Sequence, residues 1–187
     1  MTVYRDAGHC IARIMSIETN DGTVKSGWQS AYQSGWPEAR PKGSGLSAQE
    51  RLTQDCMAWK RLHRKLRPEH WHAIVAKRSI NRKEAAESIR WLARRAETPA
   101  HDKFRIRAVT AWVLPKRSTG QKSTMALPES FYLLHTWDDS GRPEGTLRRW
   151  KWECDKWLNT QMIEAHNEVE RILQEAGWKI DEAAGRA

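Results

Sequence analysis

The side chains best able to do chemistry in this chain are cations, and their densest run lies at positions 142–156. Arginine can hold a guanine edge with two parallel hydrogen bonds, while lysine and threonine can hold phosphates. Apolar residues within the run keep helical spacing, so most of the cations are expected on the opposite, solvent-facing side. The candidate contact residues are Arg142, Thr146, Arg148, Arg149, Lys151, Trp152 and Lys156.

The flanking residues predict a helix-turn-helix arrangement for this run. Residues 128–137 begin with a proline suited to a first helical position and carry an apolar stripe. Turn residues follow from Asp138 to Gly141, and a second helix is predicted to begin at Pro143. Two helices joined by a tight turn, the second one basic, are typical of a recognition helix in the major groove. An ordinary helical hairpin with a solvated basic face is the alternative.

A second candidate helix-turn-helix spans residues 69–96, with its break at Ser79–Asn81. Its second helix carries acids as well as bases, since Glu84 and Glu87 dilute the charge. The sequence therefore favours a merely solvated face here, with a supporting core or a second DNA contact as the alternative. The candidate contact residues are Arg82, Lys83, Arg90 and Arg94.

The net charge supports a polyanionic partner. The chain has 187 residues, with 32 lysines and arginines against 23 acids and a formal charge of +9. Six acids and three bases lie beyond Trp157, so the acidic end leaves an excess of about +12 on residues 1–157. A basic body of this kind is typical of nucleic-acid-binding proteins.

Catalytic and metal-binding patterns are weak. His70 and His72 would project about 200° apart on a helix, so they are poorly placed to share one ion. Cys56 and Cys154 fall on apolar helical stripes, away from a recognisable nucleophile context. No glycine-rich phosphate loop follows a predicted strand. We therefore expect a binding protein with no catalysis, no cofactor and no metal site.

Helical periodicity predicts an all-α, multi-helix fold that ends in a long helix. Ser47 and Glu50 form a predicted capping box, as do Asn81 and Glu84. Period-two alternation over 104–109 keeps a strand open as a competitor to a helix there. Gly177 is expected to end the last helix. The predicted helices cover residues 3–17, 47–66, 68–78, 82–96, 100–114, 128–137 and 143–176.

Composition divides the chain into four predicted segments. The segment 18–46 is rich in glycine and proline and is expected to be flexible, with Trp28, Tyr32 and Trp36 supplying one docked helical turn or two. The apolar stripe of the last helix can pack within the chain, which we favour, form a homodimer seam or dock on a protein. The predicted segments are an N-terminal helix and connection 1–46, a helical core 47–114, a basic linker 115–127 and the final unit 128–187.

Targeting and cysteine patterns favour a reducing compartment and exclude a membrane partner. The three cysteines are far apart in the sequence and include no Cys-x-x-Cys pair. The N-terminus lacks the apolar region of a signal peptide, and no apolar run approaches membrane-spanning length. We expect a cytoplasmic protein.

The stretches 127–132 and 136–150 resemble small phage and prophage regulators. More specifically, they resemble the Q-type late-gene antiterminators of lambdoid phages in the non-zinc branch. In that branch a sigma-region-4-like helix-turn-helix ends in Gly-Thr-Ile/Leu-Arg before a long helix, and Gly145–Arg148 match this form. The stretch Leu66–Trp71 is similar to the helix that opens such a module.

The resemblance implies a transcription regulator in the cytoplasm of a bacterial host. It implies binding to double-stranded DNA near a late promoter and loading onto RNA polymerase and its sigma factor, followed by passage through pauses and terminators. The basic helix at 142–156 would hold DNA, and tryptophan-bearing or acidic surfaces would face polymerase.

Two other functions stay open from the sequence. A phage factor that inhibits or adapts a host protein would use exposed tryptophans as anchors and its charge against an acidic surface. An RNA-binding protein would use the same cations with stacking on Trp152 or Trp28.

Overall fold

The computed structural model describes residues 4–17, 19–20, 23–24, 47–116 and 127–179, and these residues confirm the all-α class. Besides helices they contain one antiparallel pair of two-residue strands, Thr19–Asn20 with Thr23–Val24. Two short 3-10 helices, Glu129–Tyr132 and Leu134–Trp137, precede the last helix. The α-helices are α1 Ala7–Met15, α2 Ala48–Lys65, α3 Pro68–Arg78, α4 Arg82–Arg95, α5 Asp102–Val113 and α6 Glu144–Glu175.

The chain forms two compact units. The first, unit A, comprises Met1–Leu66 with His166–Ala187, and the second, unit B, comprises Arg67–Ala165. This division differs from the four predicted segments, because the predicted core 47–114 supplies α2 to unit A and α3 to α5 to unit B. The predicted tryptophan-bearing turn at 28–36 and most of the linker 115–127 lie outside the described residues.

Local capping defines the helix starts of unit A. The side chain of Asp6 accepts a hydrogen bond from the backbone N–H of His9 at 2.7 Å, so α1 begins later than the predicted start at residue 3. Ser47 and Glu50 form the capping box predicted for α2. The buried apolar side chains of unit A are Tyr4, Ala7, Cys10, Ile11, Ile14, Met15, Ala58, Leu62, Leu66, Val169, Ile172 and Leu173.

A buried polar network lies at the centre of unit A. The Tyr4 hydroxyl donates to Oδ1 of Asp55 at 2.7 Å, and the Arg13 guanidinium donates to Oδ2 at 2.9 Å. Burial, reinforced by this hydrogen bond, raises the pKa of Tyr4 well above its ordinary value. The Asp55 carboxylate therefore links α2 to α1 and to Tyr4, which lies three residues before the start of α1.

One core in unit B joins all four of its α-helices. Leu92 and Ala93 on α4 are buried with residues of α3, α5 and α6. Each fully buried leucine contributes about 2 kcal/mol of transfer free energy. The members of this core are Ala73, Ala76, Leu92, Ala93, Val109, Trp112 and Leu158.

An aromatic cluster forms the second core of unit B. The ring of Phe104 meets Trp137 and Trp150 edge-on, at centroid distances of 5.3 and 5.6 Å. Such T-shaped pairs contribute about 0.5–1.5 kcal/mol beyond the area they bury. Phe104 and Ala108 are buried while Ile106 is exposed, so the predicted helix over 100–114 forms and the competing strand does not.

The α-helix predicted over 128–137 is wrong, because this segment forms the two 3-10 helices. Long-range bonds compete with an α-helical ladder here. The Tyr132 hydroxyl donates to the carbonyl of Leu114 at 2.6 Å, and Arg107 donates to the carbonyl of Thr136 at 2.8 Å. The indole N–H of Trp137 donates to the carbonyl of Phe131.

The last helix agrees with its prediction. Helix α6 spans Glu144–Glu175, and Gly177 follows with a φ of +63°, a left-handed conformation that glycine adopts without strain. Its apolar stripe is buried within the chain, as favoured, since Leu158, Ala165 and Val169 are fully inaccessible. None of the described helices combines the length and the hydrophobicity that crossing a membrane requires.

We predict that Asp55→Ala lowers the free energy of unfolding by about 2–3 kcal/mol, since it strands the Tyr4 hydroxyl and the Arg13 guanidinium. Tyr4→Phe, which removes one hydrogen bond, should lower it by about 1 kcal/mol. Urea titration followed by circular dichroism measures both.

Asp102→Ala is the matched control, because this aspartate pairs with Arg105 while its side chain is 79% exposed. Its effect should stay within about 0.5 kcal/mol. An effect of Asp55→Ala no larger than that of Asp102→Ala would contradict a structural role for the network.

Candidate nucleic-acid interface

Helices α3 and α4 are joined by a turn of three residues, Ser79 to Asn81. The Ser79 hydroxyl accepts a hydrogen bond from the N–H of Asn81 at 3.1 Å. The Asn81 side chain then accepts from the N–H groups of Lys83 and Glu84, at 3.1 and 3.4 Å. Asn81 is therefore the N-cap of α4, which confirms the Asn81 half of the capping box predicted for Asn81 and Glu84.

The inward edge of α4 is formed by Ser88, Leu92 and Ala93, all of which are buried. The hydroxyl of Ser88 lies 3.1 Å from Nδ1 of His72, on α3. The His72 ring also stacks on Trp91 at a centroid distance of 4.2 Å. These contacts bind α4 to α3 along one edge and leave the opposite edge to solvent.

Four cations line the outward face of α4 without acidic partners. Their side chains are exposed and form no ion pair with any residue that the structure describes. Two of them occupy the first turn, where recognition helices contact base edges. The four residues are Arg82, Lys83, Arg90 and Arg94.

The cations at the start of α6 are paired along their own helix. Arg148 bonds Glu144 at 2.7 Å, four residues earlier. Arg149 lies 3.8 Å from Glu153, and Lys151 pairs with Asp155. Pairs at this spacing contribute only about 0.3–0.5 kcal/mol each, so phosphates can compete for the cations. The acids nevertheless stay in place and repel a polyanion.

Helix α4 and the start of α6 differ in net charge. Over 82–95, α4 carries five bases and two acids, an excess of +3. Over 144–156, α6 carries four bases and three acids, an excess of +1. Because phosphate contacts supply most of the affinity of nucleic-acid-binding proteins, α4 is the stronger candidate.

Arg142 is held against the protein. Its Nη1 donates to Oδ1 of Asp138 at 3.0 Å, and its guanidinium lies 4.8 Å from the Trp150 ring centroid. Asp138 also accepts from the backbone N–H groups of Arg142 and Ser140, and contacts Nε2 of His101. The Arg142 backbone hydrogen bond, above all, holds the pKa of Asp138 below its ordinary value.

The remaining predicted contacts on α6 differ in exposure. Thr146 is half-buried, whereas Trp152 is 60% exposed. The ammonium of Lys156 lies 5.1 Å from the Trp152 ring centroid. These two residues form an exposed aromatic and cationic pair.

The surroundings of Cys10, Cys154 and His70 suit structural roles rather than catalysis or metal binding. Burial raises the pKa of the Cys10 thiol to about 12 and that of Cys154 to about 11, so both stay protonated at neutral pH. Nε2 of His70 lies 3.1 Å from Oε2 of Glu164. Among the described residues, no three histidine, cysteine or acidic side chains are grouped as a metal site would require.

The sequence interpretation missed Asp55 and its partners. Asp55 precedes Ala58 and Leu62 by three and seven residues, so it shares their buried helical face. An acidic residue in phase with a buried stripe is the signal that could have identified it. Its partner Tyr4 lies 51 residues away in the sequence and has no such signal.

Comparisons with protein-family models, with curated proteins and with solved structures find no match to this chain.

We predict that Asp138→Asn destabilises the protein in a pH-dependent way. The folded-state pKa of Asp138 is lowered, so its carboxylate stabilises the fold above the unfolded carboxyl pKa of about 3.9. As the pH drops through the folded-state pKa, the Asp138 carboxyl of the wild type becomes protonated and this contribution is lost. The difference in urea midpoint between wild type and variant should shrink accordingly.

Asp139→Asn is the control, because the Asp139 carboxylate is 74% exposed and pairs, among the described residues, with Lys103 alone. It should leave the urea midpoint nearly unchanged at every pH. A midpoint difference for Asp138→Asn that stays constant down to strongly acidic pH would refute the role of the carboxylate charge.

Proposed function

We propose that this chain binds double-stranded DNA through the helix-turn-helix of α3 and α4. The observation that carries the proposal is the row of cations on the outward face of α4, from Arg82 to Arg94, which pair with no acid in the part of the chain that the structure describes. Helix α4 would lie in the major groove, and α3 would support it through the core they share.

The contacts would divide into two kinds. Arg82 and Lys83, in the first turn of α4, would meet base edges. Arg90 and Arg94 lie two and three turns further along and would hold phosphates. Affinity should then fall steeply with salt, as counterions released from DNA return.

The start of α6 would be a secondary contact. Residues 148–151 carry cations that are already shared with acids of the same helix. Arg142 is engaged by Asp138, so moving it to DNA would cost that contact. We therefore rank α4 above the basic face of residues 142–156, which the sequence alone favoured as the DNA-binding surface.

The finer role we propose is that of a phage transcription regulator, most specifically a Q-like antiterminator that loads onto RNA polymerase and its sigma factor. What supports it is the resemblance of 127–150 to that family, together with the basic charge. Action as a homodimer on a two-fold site is part of the same proposal. The location of a bound site relative to a late promoter tests this role.

Binding to a host protein is the second candidate function. It is favoured by Trp152 and Ile163, which are 60% and 63% exposed on α6. Their separation of eleven residues places them on one helical face. Large exposed side chains of this kind are typical anchors of protein interfaces.

We predict that the double variant Arg90→Ala/Arg94→Ala, which removes the two proposed phosphate contacts, weakens binding to a mixed-sequence DNA duplex. Each lost phosphate contact should lower the slope of log affinity against log salt by about 0.9. A base contact within a specific site should cost about 1–3 kcal/mol when it is lost. Fluorescence anisotropy over a salt series measures the affinity and the slope.

The double variant Arg148→Ala/Arg149→Ala removes the same charge from α6 and serves as the matched control. Its salt slope should stay close to that of wild type. A larger loss in this control than in the α4 variant would return the interface to α6, and equal small losses in both would reject DNA binding by either helix.

A further inference from the structure

Unit A contains an open cleft of about 390 Å³ between α2 and the residue that follows the turn after α6. Four of its lining residues are cations, and the others are large and apolar or aromatic. Ligand sites commonly occupy clefts of this size, with apolar walls and a few charged groups. The lining residues are Met57, Lys60, Arg61, Arg64, Lys65 and Trp178.

The cations of this cleft are concentrated at the end of α2. They occupy four of the six positions 60–65, and no acid lies between Cys56 and Arg67. Lys65 pairs with Glu175 at 3.3 Å. Lys60 and Arg64 are exposed and have no ion pair with any described residue. Two cations one helical turn apart are therefore free for an anionic ligand.

Aromatic and apolar groups lie among these cations. The Arg61 guanidinium lies 5.2 Å from the Trp178 ring centroid. Met57, which also lines the cleft, is 56% exposed, and its flexible thioether adapts to flat ligands.

We propose that this cleft binds single-stranded nucleic acid. Backbone phosphates would lie on Lys60 and Arg64, and a base would enter the cleft against Trp178 and Met57. A basic track interleaved with aromatic side chains is the usual design of single-strand sites, where each base stacks whatever its identity. Among the described residues, no amide or hydroxyl side chain lines the cleft, so we expect little base preference.

The density of charge favours nucleic acid over an acidic peptide. A strand of nucleic acid carries a phosphate at every nucleotide, whereas a peptide needs consecutive carboxylates to match four cations in six positions. The site is independent of the duplex-binding surface proposed for α4, because its residues belong to the other unit.

The test is fluorescence anisotropy of the full chain with labelled dT and U oligonucleotides of matched length, over a salt series. Lys60→Ala/Arg64→Ala should weaken binding to the strands and lower the salt slope by about 1.4 in total. Trp178→Leu should weaken binding about fivefold or more, and Trp178→Phe should retain most of it. Unfolding midpoints confirm that each variant is folded.

The α4 variant Arg90→Ala/Arg94→Ala is the matched control. It should leave single-strand binding near wild type, while Lys60→Ala/Arg64→Ala leaves duplex binding near wild type, so the two proposals fail separately. Equal losses from both double variants would overturn the cleft site, as would retention of full binding by Trp178→Leu. Tighter binding of a charge-matched polyglutamate, weakened by the same variants, would replace the proposal with a peptide site. The dT and U arms distinguish DNA from RNA.

Discussion

The packing of the inward edge of α4 is the constraint on which the proposed duplex interface depends. Ser88, Leu92 and Ala93 are buried in the core that joins α4 to its neighbours in unit B. Because α4 buries this edge and exposes the opposite one, its packing determines which cations meet solvent. The cap at Asn81 determines where the helix begins, and so which residues occupy its first turn.

The basic surfaces of α6, α4 and α2 differ in how far their cations pair with acids of the same helix. Helix α6 pairs its early cations with acids one turn away, which stabilises the helix and reduces its attraction for phosphate. Helix α4 and the end of α2 leave cations unpaired among the described residues. In one unit these cations lie on a helix that follows a three-residue turn, and in the other they line a cleft with Trp178.

Local features of the fold were predictable from the sequence, and long-range ones were not. The capping box at Ser47, the cap at Asn81 and the end of α6 near Gly177 follow from residues within one turn of each boundary. The 3-10 helices at 129–137 depend on bonds to α5 and on an aromatic cluster, which no local pattern encodes. The ion pair between Glu144 and Arg148 on α6 could be predicted from the sequence, because the two residues are four positions apart. The cleft was not, because Trp178 and α2 are more than a hundred residues apart in the sequence.

The most direct test of duplex recognition is selection of bound fragments from the source genome, sequenced across a salt series, with wild type and with Arg90→Ala/Arg94→Ala in parallel. The account predicts that wild type enriches a short site that survives added salt, and that the α4 variant loses this enrichment. Only diffuse, salt-labile retention by wild type, or undiminished enrichment by the variant, would contradict it.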